Sequence, residues 1–198
     1  MLYTIATRLI KVLLLLGMRI KVVGRENVPK EGAFILAVNH KSNLDPVIAG
    51  AFCPRQLTFM AKEELFKNPV FGGLIKMLGA FPVSRGKGDV GAIKGAFAIL
   101  KNQKAMLMFP QGHRMKDGQR GTAQTGVVMI AHKMQVPVVP FCISGEYKFW
   151  GKMKLTFGEP IDFSEYYGEK LDSSKMHELA EGVLDSILIN DTERKLKA

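Results

Sequence analysis

The chain has 198 residues, with 28 Lys plus Arg against 18 Asp plus Glu, a formal charge of +10 and 47% hydrophobic residues. That length suits one domain with at most a small appendage, and the apolar fraction excludes disorder as the main state. Only two cysteines occur, Cys53 and Cys142, which excludes a disulfide framework and a zinc knuckle and suits core thiols in a reducing compartment.

In chain order, the first segment reads as a helix. Leu2, Ile5, Leu9, Leu13, Leu16 and Ile20 recur at three- and four-residue spacing. Arg8 and Lys11 interrupt the apolar run, and Val12–Met18 is far short of the ~20 residues that span a bilayer. No small-residue cleavage site follows the leucines, so a signal peptide fits poorly. Two readings stand. Residues 1–18 form an amphipathic helix in a membrane interface, with Arg8, Lys11 and Arg19 on lipid phosphates, or they pack on the core as an ordinary helix. The first is the working expectation.

Beyond it, strands are expected at Arg19–Val23, Ala33–Val38, Leu57–Ala61, Ala80–Ser84, Ala105–Phe109, Val136–Ile143 and Lys152–Phe157. Helices are expected at Asp45–Phe52, Pro69–Leu78, Asp89–Lys101, Thr122–Met134 and Ser173–Ile189, the last capped by Ser173. This alternation predicts an α/β fold: a mixed, largely parallel central sheet flanked by helices, formed by residues 19–198 as one domain. Polar motifs follow three of the strands, and open α/β sheets bind ligands at the carboxyl ends of their strands.

Charge is unevenly placed. The first 25 residues hold five bases and no acid, and residues 85–120 hold eight bases against Asp89 and Asp117. A polyanionic partner is expected there: nucleic acid, an anionic membrane or a phosphorylated small molecule. Basic residues interleaved with aromatics, or a known nucleic-acid motif, are not evident, which disfavours nucleic acid.

Three motifs bear on chemistry. Gly86-Lys-Gly88-Asp-Val-Gly91 matches a dinucleotide fingerprint literally, but the acid wanted about 20 residues later is Gln111. It reads as a turn before a helix. Asn39-His-Lys-Ser-Asn-Leu-Asp45-Pro46 places a histidine after an apolar strand and an aspartate before a Pro-initiated helix. Asp45 can orient His40 as a general base. Equally, Asp45 can cap the helix while His40 is a turn residue. Phe109-Pro-Gln-Gly-His-Arg114 offers a tight turn and a guanidinium suited to phosphate. Arg85 and, more weakly, Lys62 are further cations at strand ends. The apolar stretch Val70–Phe81 lines an acyl groove or is an ordinary core helix. No HExxH and no phosphate-binding GxxxxGK[ST] occur, and no metal cluster is apparent.

Together these residues resemble the membrane-associated glycerolipid acyltransferases, specifically the bacterial 1-acylglycerol-3-phosphate acyltransferases. The resemblance rests on His40–Asp45 as the HxxxxD block, Gly79–Arg85, Phe109–Arg114 and Val136–Pro140, in order. Weaker echoes occur at Gly24–Pro29, Lys62–Leu65 and Phe157–Pro160. Two departures stand out: Gln111 and His113 replace the family's usual Glu and Thr, and Ser84 stands where an acid is frequent.

The resemblance implies transfer of a fatty acyl group from acyl-CoA or acyl-carrier protein to the free hydroxyl of a 1-acylglycerol 3-phosphate, giving phosphatidic acid. It implies His40 and Asp45 as catalytic residues, and Arg85, Gln111, Gly112, Arg114 and Lys62 as substrate-binding residues. No cofactor and no metal are implied. The implied partners are the lysophospholipid, the acyl thioester, an anionic membrane surface and an acyl-carrier protein as one candidate donor. The implied place is the cytoplasmic face of the cell membrane, peripheral or monotopic. Because of Gln111 and His113, another acceptor (glycerol 3-phosphate or another lysolipid) stays open, as does a non-catalytic lipid-binding role with a relic site.

Overall fold

The computed structural model describes residues 2–77, 79–83, 90–116 and 119–191. Seven strands form one sheet: β1 Arg19–Val23, β2 Phe34–Val38, β3 Leu57–Lys62, β4 Ala80–Val83, β5 Ala105–Met108, β6 Val138–Gly145 and β7 Lys152–Phe157. Their order is β1-β7-β6-β2-β5-β3-β4. The run from β6 to β4 is parallel, β7 is antiparallel to β6, and β1 is parallel to β7. The mixed, largely parallel sheet expected from the alternation is therefore present.

Six helices cover this sheet: α1 Leu2–Gly17, α2 Asp45–Phe52, α3 Pro69–Met77, α4 Val90–Lys101, α5 Gly126–Met134 and α6 Ser173–Leu188. β2 shows why both faces must be covered. Its sequence Phe34-Ile-Leu-Ala-Val38 is buried at every position, as a central parallel strand requires. Phe34, Leu36 and Val38 pack with Ile48 and Phe52 of α2, while Ile35 and Ala37 pack with α4, α5 and α6 residues such as Ala96, Val128 and Leu184. Alternation along one strand thus seeds two core layers.

Most elements lie within a residue or two of expectation, with β6 shifted from Val136–Ile143 to Val138–Gly145, and the start of α5 and the cap of α6 differ for visible reasons. α5 begins at Gly126, not Thr122. The amide of Ala123 donates to Glu181 Oε1 at 2.6 Å and that of Gln124 to Pro110 O at 2.7 Å, so these residues are held as a connecting segment. α6 is capped by Asp172, not Ser173. Asp172 is extended and its carboxylate accepts the Lys175 amide at 2.7 Å, the geometry of a side-chain N-cap.

α1 packs one face on the core and leaves the other exposed. Ala6 is buried, Ile10 and Leu14 pack on the core, and Tyr3 Oη donates to Gly50 O and accepts from the Leu57 amide. The opposite stripe, Ile5, Leu9, Leu13 and Leu16, is 57–68% exposed. No described helix is long and apolar enough to cross a membrane. α3 sends Leu74 and Ile75 toward the core and leaves Val70 exposed. Neither cysteine forms a disulfide, both are buried, and burial pushes the Cys53 thiol up to about 11. Cys53 is thus a protonated core residue.

Arg85 and residues 86–89 of the glycine motif lie outside the described residues, as does the side chain of Lys62.

Candidate active site

The sheet order brings the carboxyl ends of β5, β2 and β6 side by side. Three loops meet there: residues 39–45 after β2, 109–116 after β5, and 146–151 after β6. Residues that are 70 or 100 positions apart in sequence thereby become neighbours.

Asn39 fixes the first loop. The last β2–β6 pair is Val38↔Phe141. Beyond it, Asn39 Nδ2 donates to Ile143 O and Asn39 Oδ1 accepts the Ile143 amide, both at 2.8 Å. Its side-chain amide thus continues the ladder where the backbone turns away, and it is buried.

Asp45 is the centre of the turn and is fully buried. Its Oδ2 accepts three hydrogen bonds: from the Lys41 amide at 2.7 Å, the Ser42 amide at 2.7 Å and His40 Nδ1 at 2.9 Å. Its Oδ1 accepts from Tyr147 Oη at 2.5 Å. A buried carboxylate is tolerated because donors meet both oxygens. A carboxylate can only accept, so the His40 proton sits on Nδ1 and Nε2 carries the lone pair. The capping reading does not hold: Leu44 is the N-cap of α2 and makes no side-chain cap bond, while the Asp45 carboxylate turns back onto the loop before the helix and orients the imidazole.

His40 is held in three further ways. Phe109 stacks on its ring, with centroids 4.0 Å apart and planes 19° from parallel. Its amide donates to Gln111 Oε1 at 2.9 Å, and its carbonyl accepts the Met115 amide at 2.8 Å. Next in sequence, Lys41 Nζ pairs with Asp191 at 2.9 Å, past the end of α6. The imidazole side chain keeps 18% of its surface exposed, so the ring is fixed yet reachable.

The loop after β5 is a tight turn. The Gly112 amide donates to Phe109 O at 3.0 Å, with Pro110 and Gln111 between them and Gly112 at φ 73°. A left-handed residue after such a turn favours glycine. A Cβ there would also stand 3.1 Å from Gln124 Cγ. Gln111 departs from the substrate-binding role expected of it. It is only 2% exposed, and its Nε2 donates to Arg120 O at 2.7 Å while its Oε1 holds the His40 amide. Both ends of the amide are used inside the protein, so Gln111 is a positioning residue that links the two loops. His113 and Arg114 are exposed on the same loop, and Arg114 immediately precedes the residue that bonds His40 O.

Arg120 turns away from this site. It pairs with Glu181 and, at 2.8 Å, with Asp185 on α6. Burial alone would raise the Glu181 carboxyl, but the Ala123 amide and Arg120 outweigh it and hold the group below its usual value. That stability is present above the unfolded-state pKa of about 4.3 and is lost as pH falls through the folded-state value. Glu181→Gln is expected to lower stability by about 1 kcal/mol near neutral pH. Urea unfolding should show a shallower acid-side loss for the variant, with the two proteins converging at low pH.

Sequence reasoning did not single out Tyr147, Phe109 as a stacking partner, or the Lys41–Asp191 pair. The available signal for Tyr147 was its place just after β6, the strand that the sheet order sets beside β2. A cavity of about 640 Å³ lies between α4, α5 and residues 168–171, and none of the site residues lines it.

Comparison with known proteins agrees with this geometry. The family model described as "Acyltransferase" matches residues 19–144, which includes His40, Asp45 and the whole loop after β5. The chain is 33% identical over 170 residues to a 1-acyl-sn-glycerol-3-phosphate acyltransferase of Bacillus subtilis, covering 83% of this chain and 84% of that protein. It is 37% identical over 139 residues to a protein of the same name from Streptococcus pneumoniae, covering 67% of this chain and about half, 51%, of that one. The crystal structure of the 1-acyl-sn-glycerophosphate (LPA) acyltransferase PlsC from Thermotoga maritima superposes with a TM-score of 0.66 at 28% identity, over 93% of this chain and 75% of that chain. With a reachable histidine held on a buried aspartate at the carboxyl edge of the same fold, and the family model spanning the segment that builds it, this chain belongs to the acyltransferase family.

Proposed function

We propose that this protein transfers a fatty acyl group from an acyl thioester to the free hydroxyl of a 1-acylglycerol 3-phosphate, yielding phosphatidic acid. The observation that carries the reading is the His40 imidazole, locked through Nδ1 onto buried Asp45 with its other nitrogen left to take a proton. The acceptor hydroxyl loses its proton to Nε2 as its oxygen attacks the thioester carbonyl. Asp45 stabilises the imidazolium that forms. The tetrahedral intermediate collapses, the thiolate leaves, and the proton on His40 goes to that sulfur. The pair needs no covalent enzyme intermediate, and Ser42 Oγ, the nearest hydroxyl in sequence, accepts the Leu44 amide.

Arg114 holds the acceptor phosphate, with Arg85 and Lys62 as further cations of the same role. Its guanidinium fork suits phosphate, and a held phosphate turns a free encounter into an aimed one. The donor is acyl-CoA or an acyl-carrier protein. α1 lies in the interface of an anionic membrane, on the cytoplasmic face, consistent with reduced cysteines.

The test is acylation of lysophosphatidic acid by purified protein, with acyl-CoA and acyl-carrier protein supplied separately. Absence of phosphatidic acid with both donors would overturn the reaction. Arg114→Ala is expected to raise KM for the phosphorylated acceptor about 10-fold or more with a smaller change in kcat. An unchanged KM would remove Arg114 from phosphate binding.

A further inference from the structure

We propose that the turn between β6 and β7, residues 146–151, is a second membrane-inserting element, in which Phe149 and Trp150 enter an anionic lipid surface beside the outer face of α1. The inference rests on the reading above, that the acceptor is a lipid drawn from a membrane.

Phe149 and Trp150 are 74% and 59% exposed, large apolar rings at the tip of a turn. They meet edge to face at 5.8 Å. The turn is docked on the end of α1. The Trp150 amide donates to Gly17 O at 2.6 Å, and the Arg19 amide donates to Gly151 O at 2.9 Å. A methyl on Gly17 would stand 3.8 Å from the Phe149 ring. Trp150 has φ 60°, a conformation that a bulky residue rarely adopts and that its surroundings must hold. The two rings thus sit at the carboxyl end of α1, against Gly17, the residue next to Leu16 where the exposed stripe ends.

The charge around this surface selects its occupant. Lys148 lies in the turn itself, Arg19 and Lys152 flank it on the two adjoining strands, and the first 25 residues contain no acid. Arg19 places its guanidinium 5.7 Å from the centre of the Trp150 ring, and Glu146 is neutralised by Lys148 at 3.0 Å. Tryptophan and phenylalanine beside cations are the side chains that settle at the headgroup level of anionic bilayers. A second copy of the chain is a poor occupant, because apposing this face would set cations against cations.

The same turn carries Tyr147, whose hydroxyl holds Asp45. The anchor and the active site therefore share one short segment at the carboxyl edge of the sheet. Seating Phe149 and Trp150 in a bilayer brings the His40 loop to the membrane surface, where a lysolipid enters without crossing water.

Trp150 is the single tryptophan, so its own emission reports the turn. The full chain is titrated with phosphatidylglycerol vesicles, with phosphatidylcholine vesicles, and with vesicles whose acyl chains are brominated. The expected result is a blue-shifted emission with phosphatidylglycerol, quenched by the brominated chains and weaker with phosphatidylcholine. Phe149→Ser/Trp150→Ser is expected to co-sediment with phosphatidylglycerol vesicles on the order of 10-fold less well. Phe149→Tyr/Trp150→Phe, which keeps the rings, should restore most of the binding.

Vesicle binding by the wild type with an unshifted, unquenched Trp150 would overturn the proposal. So would absence of vesicle binding, or a blue shift that follows dimer formation without lipid. The assignment of the reaction is judged apart, on short-chain lysophosphatidic acid dispersed as monomers. There Phe149→Ser/Trp150→Ser should keep wild-type turnover while losing it on vesicle-borne acceptor. Loss of the wild type's activity in that assay would defeat the reaction and leave the lipid-binding result standing.

Discussion

His40→Ala is expected to lower kcat by about 10²–10⁴-fold, the usual contribution of a positioned general base. This corresponds to roughly 3–5.5 kcal/mol of transition-state stabilisation. The fold should survive. The backbone bonds of His40, to Gln111 Oε1 and from Met115, do not involve its side chain. What is lost in the folded state is the stack on Phe109 and one hydrogen bond to Asp45. Thermal unfolding and vesicle binding should therefore stay close to wild type while turnover collapses. KM for the acceptor should move little, because the phosphate is held elsewhere. Turnover within a few-fold of wild type in folded His40→Ala protein would remove His40 from the chemistry.

Asp45 separates the structural and catalytic uses of one carboxylate. Asp45→Ala leaves four donors facing an apolar gap: the Lys41 and Ser42 amides, His40 Nδ1 and Tyr147 Oη. At about 1–3 kcal/mol for each unmet buried group, the loss approaches the roughly 5–15 kcal/mol total stability of a domain. This variant is expected to unfold or to express poorly. Asp45→Asn is the informative one. Its carbonyl oxygen can take the place of Oδ2 and keep three donors, while its NH₂ meets the Tyr147 oxygen, which can accept. The loop should hold, and the missing charge should appear as a loss of about 10²-fold or more in kcat, since nothing then balances the imidazolium. Because Asp45 acts through His40, the double variant His40→Ala/Asp45→Asn should be no slower than His40→Ala alone. Additive losses in that cycle would mean that Asp45 acts on the substrate by another route.

The Gln111 departure from the family's usual glutamate takes on a physical meaning here. Its amide needs an acceptor at Arg120 O and a donor at the His40 N–H. A glutamine satisfies both, with Nε2 on the carbonyl and Oε1 on the amide. An ionised glutamate would set an acceptor against the Arg120 carbonyl. The glutamine at this position therefore suits the way the turn is locked.

Much of the fold was legible in local pattern. The continuous apolar run of β2, the alternation of strands and helices and the Pro46 start of α2 follow from short-range chemistry, and the elements appear within a few residues of where these signals place them. The HxxxxD spacing was legible for the same reason, since a five-residue turn either closes on itself or does not. Boundaries failed where a distant partner decided them. Residues 122–125 stay out of α5 because Glu181 and Pro110 take the amides of Ala123 and Gln124, and neither partner is visible in a local window. The apolar stripe of α1 was legible, but not that a second face, Ala6, Ile10 and Leu14, would pack on the core.

By itself, then, the sequence determined the α/β class, the His40–Asp45 pair and the basic, apolar character of the first helix. Only the tertiary structure decided which loops would meet. Setting β6 and β5 on either side of β2 brought Tyr147 to Asp45 and Gln111 to His40 across 102 and 71 residues. Strand order is an outcome of the whole core, because each strand pairs wherever the summed burial of both faces is greatest. No local spacing encodes that sum.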